Sequence, residues 1–162
     1  MNRLDIIKEK IVSKEQLSKL VHKWNLLSQK IVFTNGCFDI LHPGHIHTLT
    51  TAADFGNRLI VGLNTDSSVS KLKPGRPIQD QNARALVLAA LNCVDAIILF
   101  DEETPLELIK FIKPDVLVKG GDYSINQIIG SSEVLAYGGK VEIVQLLSGY
   151  STTSIESRIK EE

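Results

Sequence analysis

The stretch Thr34-Asn35-Gly36-Cys37-Phe38-Asp39-Ile40-Leu41-His42-Pro43-Gly44-His45 ends the β-branched run of residues 30–34 and leads into an apolar-periodic segment. A strand that hands over to a helix through such a turn leaves helix N–H groups facing outward, where anions are favoured. Two imidazoles three residues apart, separated by Pro43 and Gly44, therefore point to phosphate chemistry at this turn. Gly44 reads as a position where the backbone can approach a ligand closely. The turn carries neither GxGxxG nor GxxxxGK[ST], so dinucleotide redox chemistry and γ-phosphoryl transfer are not signalled.

Outward from this turn, apolar strand-like runs (30–34, 58–63, 96–100, 115–119, 141–146) alternate with helix-like ones (44–55, 82–91, 105–112, 131–137, 152–160). Strands this apolar, each followed by a helix, predict an α/β fold: a single doubly wound, Rossmann-like parallel sheet covered on both faces. Ligands in such folds sit beyond the carboxyl ends of the strands, where strand order reverses. Ahead of the first strand, Ser13-Lys14-Glu15-Gln16 makes a capping pattern, and Leu17, Leu20, Val21 and Trp24 follow at helical spacing. Residues 1–28 thus form an N-terminal helical extension, and residues 29–162 the sheet domain.

Composition sets limits. A chain of 162 residues suits one domain. With 18 basic against 19 acidic side chains and a net charge of −1, no global field exists to hold a nucleic-acid backbone or an anionic membrane. The longest apolar stretches, 94–100 and 113–118, fall short of the ~20 residues of a membrane span. Asp5, Lys8, Glu9 and Lys10 interrupt the N-terminus, so no secretory signal is expected there. Cys37 and Cys93 form neither a CxxC pair nor a disulfide framework, in keeping with a cytoplasmic protein. Cys93 reads as a small core residue, neither cysteine reads as a metal ligand, and His22 and His47 read as surface or packing residues.

Other segments could join the histidines. Ser151-Thr152-Thr153-Ser154, after Gly149, opens the last helix. Its hydroxyls can cap that helix, and with exposed N–H groups they can also seat the β- and γ-phosphates of a nucleotide. The segment Lys71-Leu72-Lys73-Pro74-Gly75-Arg76-Pro77 reads as a basic, mobile loop. From it, or from Arg84, a cation would neutralise charge developing at an α-phosphate and on departing pyrophosphate. Val118-Lys119-Gly120-Gly121-Asp122-Tyr123 ends a strand. Its paired glycines serve either a turn or the close approach of a base or ribose.

These motifs together resemble the cytidylyltransferase-like family of the HIGH nucleotidyltransferase superfamily, over about residues 30–160. Residues 34–42, Gly75-Arg76-Pro77, Val94-Asp95, residues 116–123 and Gly149 followed by Ser151-Thr152-Thr153 are most similar to D-glycero-β-D-manno-heptose 1-phosphate adenylyltransferases. Those occur alone or as half of a bifunctional kinase/adenylyltransferase. Glycerol-3-phosphate cytidylyltransferases resemble the chain too, but place Thr where Cys37 stands and Arg where Leu146 stands. The resemblance implies AMP transfer from ATP to a heptose 1-phosphate, with release of pyrophosphate and with Mg²⁺ carried on ATP. A cytidylyltransferase for glycerol 3-phosphate or phosphoethanolamine, and a nucleotide-binding module without turnover, are the competing readings.

The same resemblance implies catalytic roles for His42, His45, Lys71 and Lys73. It implies nucleotide contacts from Thr34, Asn35, Gly36, Phe38, Arg84, Lys119, Gly120, Gly121, Asp122, Ser151, Thr152 and Thr153, and acceptor contacts from Cys37, Asp39 and Arg76. Asp39 is either behind the ligand contacts or purely structural. A homodimer, a separate heptose kinase to supply the acceptor, and a place in the synthesis of ADP-heptose for lipopolysaccharide in a bacterial cytoplasm are expected on the same ground.

Overall fold

The structure is a computed structural model and describes residues 2–160. Five strands make one parallel sheet: β1 (Ile31–Gly36), β2 (Arg58–Asn64), β3 (Ala96–Phe100), β4 (Val116–Gly120) and β5 (Lys140–Val144), in the order β3-β2-β1-β4-β5. Among the described residues eight helices surround it: α1 (Arg3–Lys8), α2 (Lys14–Leu26), α3 (Pro43–Asp54), α4 (Asp66–Leu72), α5 (Gln81–Ala89), α6 (Leu106–Ile112), α7 (Ser131–Ala136) and α8 (Thr152–Lys160). A 3-10 turn spans Ile125–Gln127. The alternation in the sequence thus corresponds to the predicted doubly wound parallel fold.

Successive strand residues bury on opposite faces. Ile31, Phe33, Ile60, Ile98 and Leu117 pack with Leu17 and Trp24 of α2, with Leu108, Ile109 and Ile112 of α6, and with Val134 of α7. Val32, Leu59, Val61, Leu63, Val116 and Val118 pack with Leu49 and Ala52 of α3 and with Ala85, Leu88 and Ala89 of α5. Both faces are covered, which explains why the strands read as continuous apolar runs. Cys93 is half-buried at the margin of the second cluster, and His22 and His47 are exposed.

The Ser13 cap forms as predicted: its side chain accepts from Gln16 N, and the Gln16 side chain accepts from Ser13 N. The N-terminal segment also meets the sheet edge. Ile97 N donates to the Lys10 carbonyl at 2.7 Å and Val12 N to the Ile97 carbonyl at 2.9 Å.

One expected loop is partly helix. Lys71 lies in the last turn of α4, and Lys73 is its C-cap. The sequence hides this helix because it holds three serines and only two apolar residues, a weak periodic signal. A cap from the Thr65 side chain to Ser68 N starts it.

Leu17, fully buried between α2 and the sheet, anchors the helical extension. Leu17→Ala should cost about 2–5 kcal/mol, read as a lower urea midpoint with an unchanged m-value.

Candidate active site

Strand order reverses between β1, whose neighbours are β2 and β4, and the carboxyl ends of those strands define a crevice. β1 runs into the quoted turn, and α3 begins at its end with His42 as N-cap and Pro43 in the first turn. Proline suits that position because its missing N–H would have no helical partner there. The two imidazoles stack, with ring centroids 3.8 Å apart and planes 26° from parallel. Phe38, held at φ 45°, lies against His45 at 5.2 Å.

Gly44 has a structural use that its sequence context did not show. A Cβ there would stand 3.0 Å from ring atoms of His42, so this glycine makes room for the imidazole.

The Nδ1 atoms of His42 and His45 are buried and make no hydrogen bond among the described residues. Burial holds His42 below the ordinary imidazole range. His45 is pushed down to about 4, first by burial and then by the charge of His42, with Lys73 adding and the Ile40 backbone opposing. Both rings are therefore neutral at physiological pH.

A cavity of about 450 Å³ opens beside His45, lined among others by Cys37, Asp39, Lys73, Arg76, Thr152 and Thr153. A second, of about 180 Å³, is lined by Thr34, Asn35, Gly36, Cys37, Phe38, His45, Lys119 and Gly120. A third, of about 230 Å³, shares Asn35 and Lys119 with the second and continues over Leu117, Tyr123, Gln127 and Ile128. Burial pushes the Lys119 ammonium below the ordinary lysine range; Cys37 opposes this and Lys73 adds to it. Two cations acting on each other across a crevice leave it short of negative charge.

The expected residues do not all gather here. Lys71 instead lines a depression with Ser68, Asp101 and Glu103, and its charge acts on Asp101. His42 stacks on His45 but lines a shallow surface with Leu41, Pro43 and Ile46. Ser151 caps α8, its Oγ accepting from Ser154 N at 3.0 Å. Gly121 donates its N–H to the Val144 carbonyl, and Asp122 is exposed.

Three charged side chains are bound inside the protein. Arg84 is fully buried: Nε donates to the Gln79 carbonyl at 3.0 Å, Nη1 to the Cys37 carbonyl at 2.6 Å and Nη2 to Asp66 at 2.7 Å. Asp39 accepts from Arg76 Nη1 at 2.9 Å and from the N–H groups of Ile78 and Gln79. Burial pushes the Asp39 carboxyl up, but the Gln79 and Ile78 N–H groups and Arg76 together outweigh it and hold the group below the usual carboxylate range. Arg76 Nη2 pairs with Glu156 of α8. The turn expected to be mobile is thereby fastened to the β1 end.

The sequence reading missed Asp66 and Glu156. Glu156 lies one helical turn after Thr152 and so on the same side of α8, a spacing visible in the sequence; nothing local marks Asp66.

Residues 33–158 match the model of the cytidylyltransferase-like family. This chain belongs to that family, and so to the nucleotidyltransferases. The chain is similar to proteins called bifunctional protein HldE: 55% identical to that of Caulobacter vibrioides over 93% of this chain, and 53% identical to that of Gluconobacter oxydans over 90%. It spans about a third of their length, 31% and 30%. A solved structure of a lipopolysaccharide core biosynthesis protein from Thermoplasma volcanium is 32% identical, with a TM-score of 0.60 over 76% of this chain and 99% of that one. The fold is shared with a pantoate-β-alanine ligase from Francisella tularensis, 17% identical, TM-score 0.62, covering 93% of this chain and 76% of the ligase.

The neutral His45 carries a pH signature. An unfolded imidazole takes a proton near pH 6.5, whereas folded His45 resists until about 4. Native stability therefore falls as pH drops from 6.5 toward 4, the unfolded state binding the extra proton. Urea unfolding near neutrality and near pH 5 should show a shallower loss for His45→Gln than for the wild type; equal losses would refute the assignment.

Proposed function

We propose that the protein transfers AMP from ATP to D-glycero-β-D-manno-heptose 1-phosphate, giving ADP-heptose and pyrophosphate. One observation carries the chemistry: the stacked neutral imidazoles place His45 in a cavity that also holds Lys73, Thr152 and Thr153. The heptose is supported by the resemblance of residues 34–42 and 116–123 and by the likeness to the lipopolysaccharide core biosynthesis protein.

In this reading an oxygen of the acceptor phosphate attacks the α-phosphorus in line, and the bond to pyrophosphate breaks. No protein nucleophile is required, and catalysis comes from positioning and charge stabilisation. His45 donates a hydrogen bond to the α-phosphate, and His42, stacked on it at the start of α3, is the second donor. Lys73 rather than Lys71 neutralises the developing charge, because only Lys73 shares the cavity of His45. Thr152 and Thr153 hold the β- and γ-phosphates, while Ser151 is spent on the cap.

The adenine lies near Gly120, Gly121 and Asp122, with Thr34, Gly36 and Phe38 at its side. The acceptor's sugar enters the cavity beyond Asn35 and Lys119, toward Tyr123 and Gln127. Cys37 lies where the two substrates meet. Arg84 acts through the Cys37 carbonyl that it holds and Asp39 shapes the acceptor side, while Arg76, its guanidinium taken by Asp39 and Glu156, braces the cavity without touching the acceptor. Both oxygens of Asp39 are engaged, so Mg²⁺ would arrive on ATP, held by phosphate oxygens and water. The reaction would take place in the bacterial cytoplasm, where ATP is at hand, and a sugar kinase must supply the acceptor.

Pyrophosphate release should be observed with ATP and the heptose 1-phosphate, and not with CTP or glycerol 3-phosphate; turnover with CTP would overturn the donor assignment. Removing the donor in His45→Ala should lower kcat on the order of 10²-fold or more. Lys73→Ala should lower kcat on a similar scale while Lys71→Ala stays within about threefold of wild type, the reverse ranking refuting the choice of lysine.

A further inference from the structure

Helix α8 brings Thr152 and Thr153 to the wall of the cavity of about 450 Å³ beside His45, yet no side chain from Thr152 to Ile159 is fully buried. Ile155 is half-buried at most, so apolar packing holds this helix less firmly than it holds α3 or α5. A polar tie supplements it. Glu156 pairs with Nη2 of Arg76, whose Nη1 is bound to Asp39 at 2.9 Å. The Arg76 side chain is only 12% exposed and that of Glu156 29%, so solvent screens this pair less than an open surface pair.

Arg76 also sits on the turn that carries Lys73, its N–H donating to the Lys73 carbonyl at 3.1 Å. One guanidinium thus joins three walls of the cavity: the β1 end that leads to the histidines, the turn with Lys73 and the helix with the threonines. A cation with both faces of its fork taken by carboxylates, one in each of two walls, is built to hold those walls at a set distance.

We propose that Arg76 and Glu156 are positioning residues for the nucleotide: their ion pair sets the Thr152 and Thr153 hydroxyls against Lys73 across the span of a triphosphate. The assignment rests on the reading of this cavity as the triphosphate seat. Glu156 touches no reacting atom in this scheme. It acts through α8, and the acceptor side is indifferent to it.

The test is Glu156→Gln in the full chain, which keeps the side-chain size and removes the charge. KM for ATP with Mg²⁺ should rise about tenfold while kcat stays within about twofold and KM for the heptose phosphate is unchanged. Glu156→Asp, which keeps the charge, should recover part of the loss. Amide hydrogen exchange over residues 152–160 should quicken in Glu156→Gln and stay the same elsewhere. An unchanged KM for ATP with unchanged exchange, or an equal loss toward both substrates, would overturn the positioning role. A wild-type protein that releases no pyrophosphate from ATP would instead defeat the nucleotidyl-transfer reading, and the exchange measurement would still decide whether the tie holds α8.

Discussion

The reversal of strand order at β1 is the constraint from which the rest follows. β1 bonds to β2 on one side and β4 on the other, so the chain leaves β1 through α3 toward one face and returns to β4 through α6 on the other. Parallel strands permit only such crossovers, and their handedness sends them to opposite faces. The carboxyl ends of β1 and β4 consequently open between two helical layers. Successive residues at the end of β1 serve this opening: Asn35 borders both of the smaller cavities and Thr34 borders one of them.

Charge around the crevice is arranged in two tiers. The inner tier is consumed by the protein. Arg84, with no exposed side-chain surface, would be costly without its three acceptors, since breaking a buried pair leaves an uncompensated charge. Its bond to the Cys37 carbonyl and the bonds of Asp39 to Ile78 and Gln79 brace the same short turn from two directions. That bracing sustains the left-handed φ of Phe38, a conformation that needs its surroundings to hold it. The outer tier, Lys73 and Lys119, lines the cavities and makes no ion pair among the described residues.

Much of this was legible in the sequence, and the exceptions have physical causes. The β-branched strands and the caps of α2 and α8 reflect local chemistry, so their positions could be read to within a residue or two. Helix α4 could not, because its serines blur the apolar period and its start depends on one threonine. The histidine pair was legible as a motif, but its neutrality arises from burial and stacking that only tertiary structure creates. Arg76 and Arg84 looked like solvent-facing cations beside a phosphate site. What sequence withholds is whether a carboxylate distant along the chain, such as Glu156 for Arg76 or Asp66 for Arg84, reaches them first. Lys71 and Lys73 are indistinguishable by composition and spacing, and the end of a helix separates them.

The rung that Lys10 and Val12 add to Ile97 reaches beyond the fold itself. β3 is an outermost strand of five apolar or small residues, Ala96 to Phe100, the kind of open backbone edge that invites pairing with another molecule. By lending two of its own peptide groups to that strand, the segment between α1 and α2 spends the hydrogen-bonding capacity a neighbouring chain would need. The opposite border, β5, carries Lys140 and Glu142 instead, and charged side chains discourage such pairing by a different route. The chain thus covers its two margins unequally, one with borrowed backbone and one with charge.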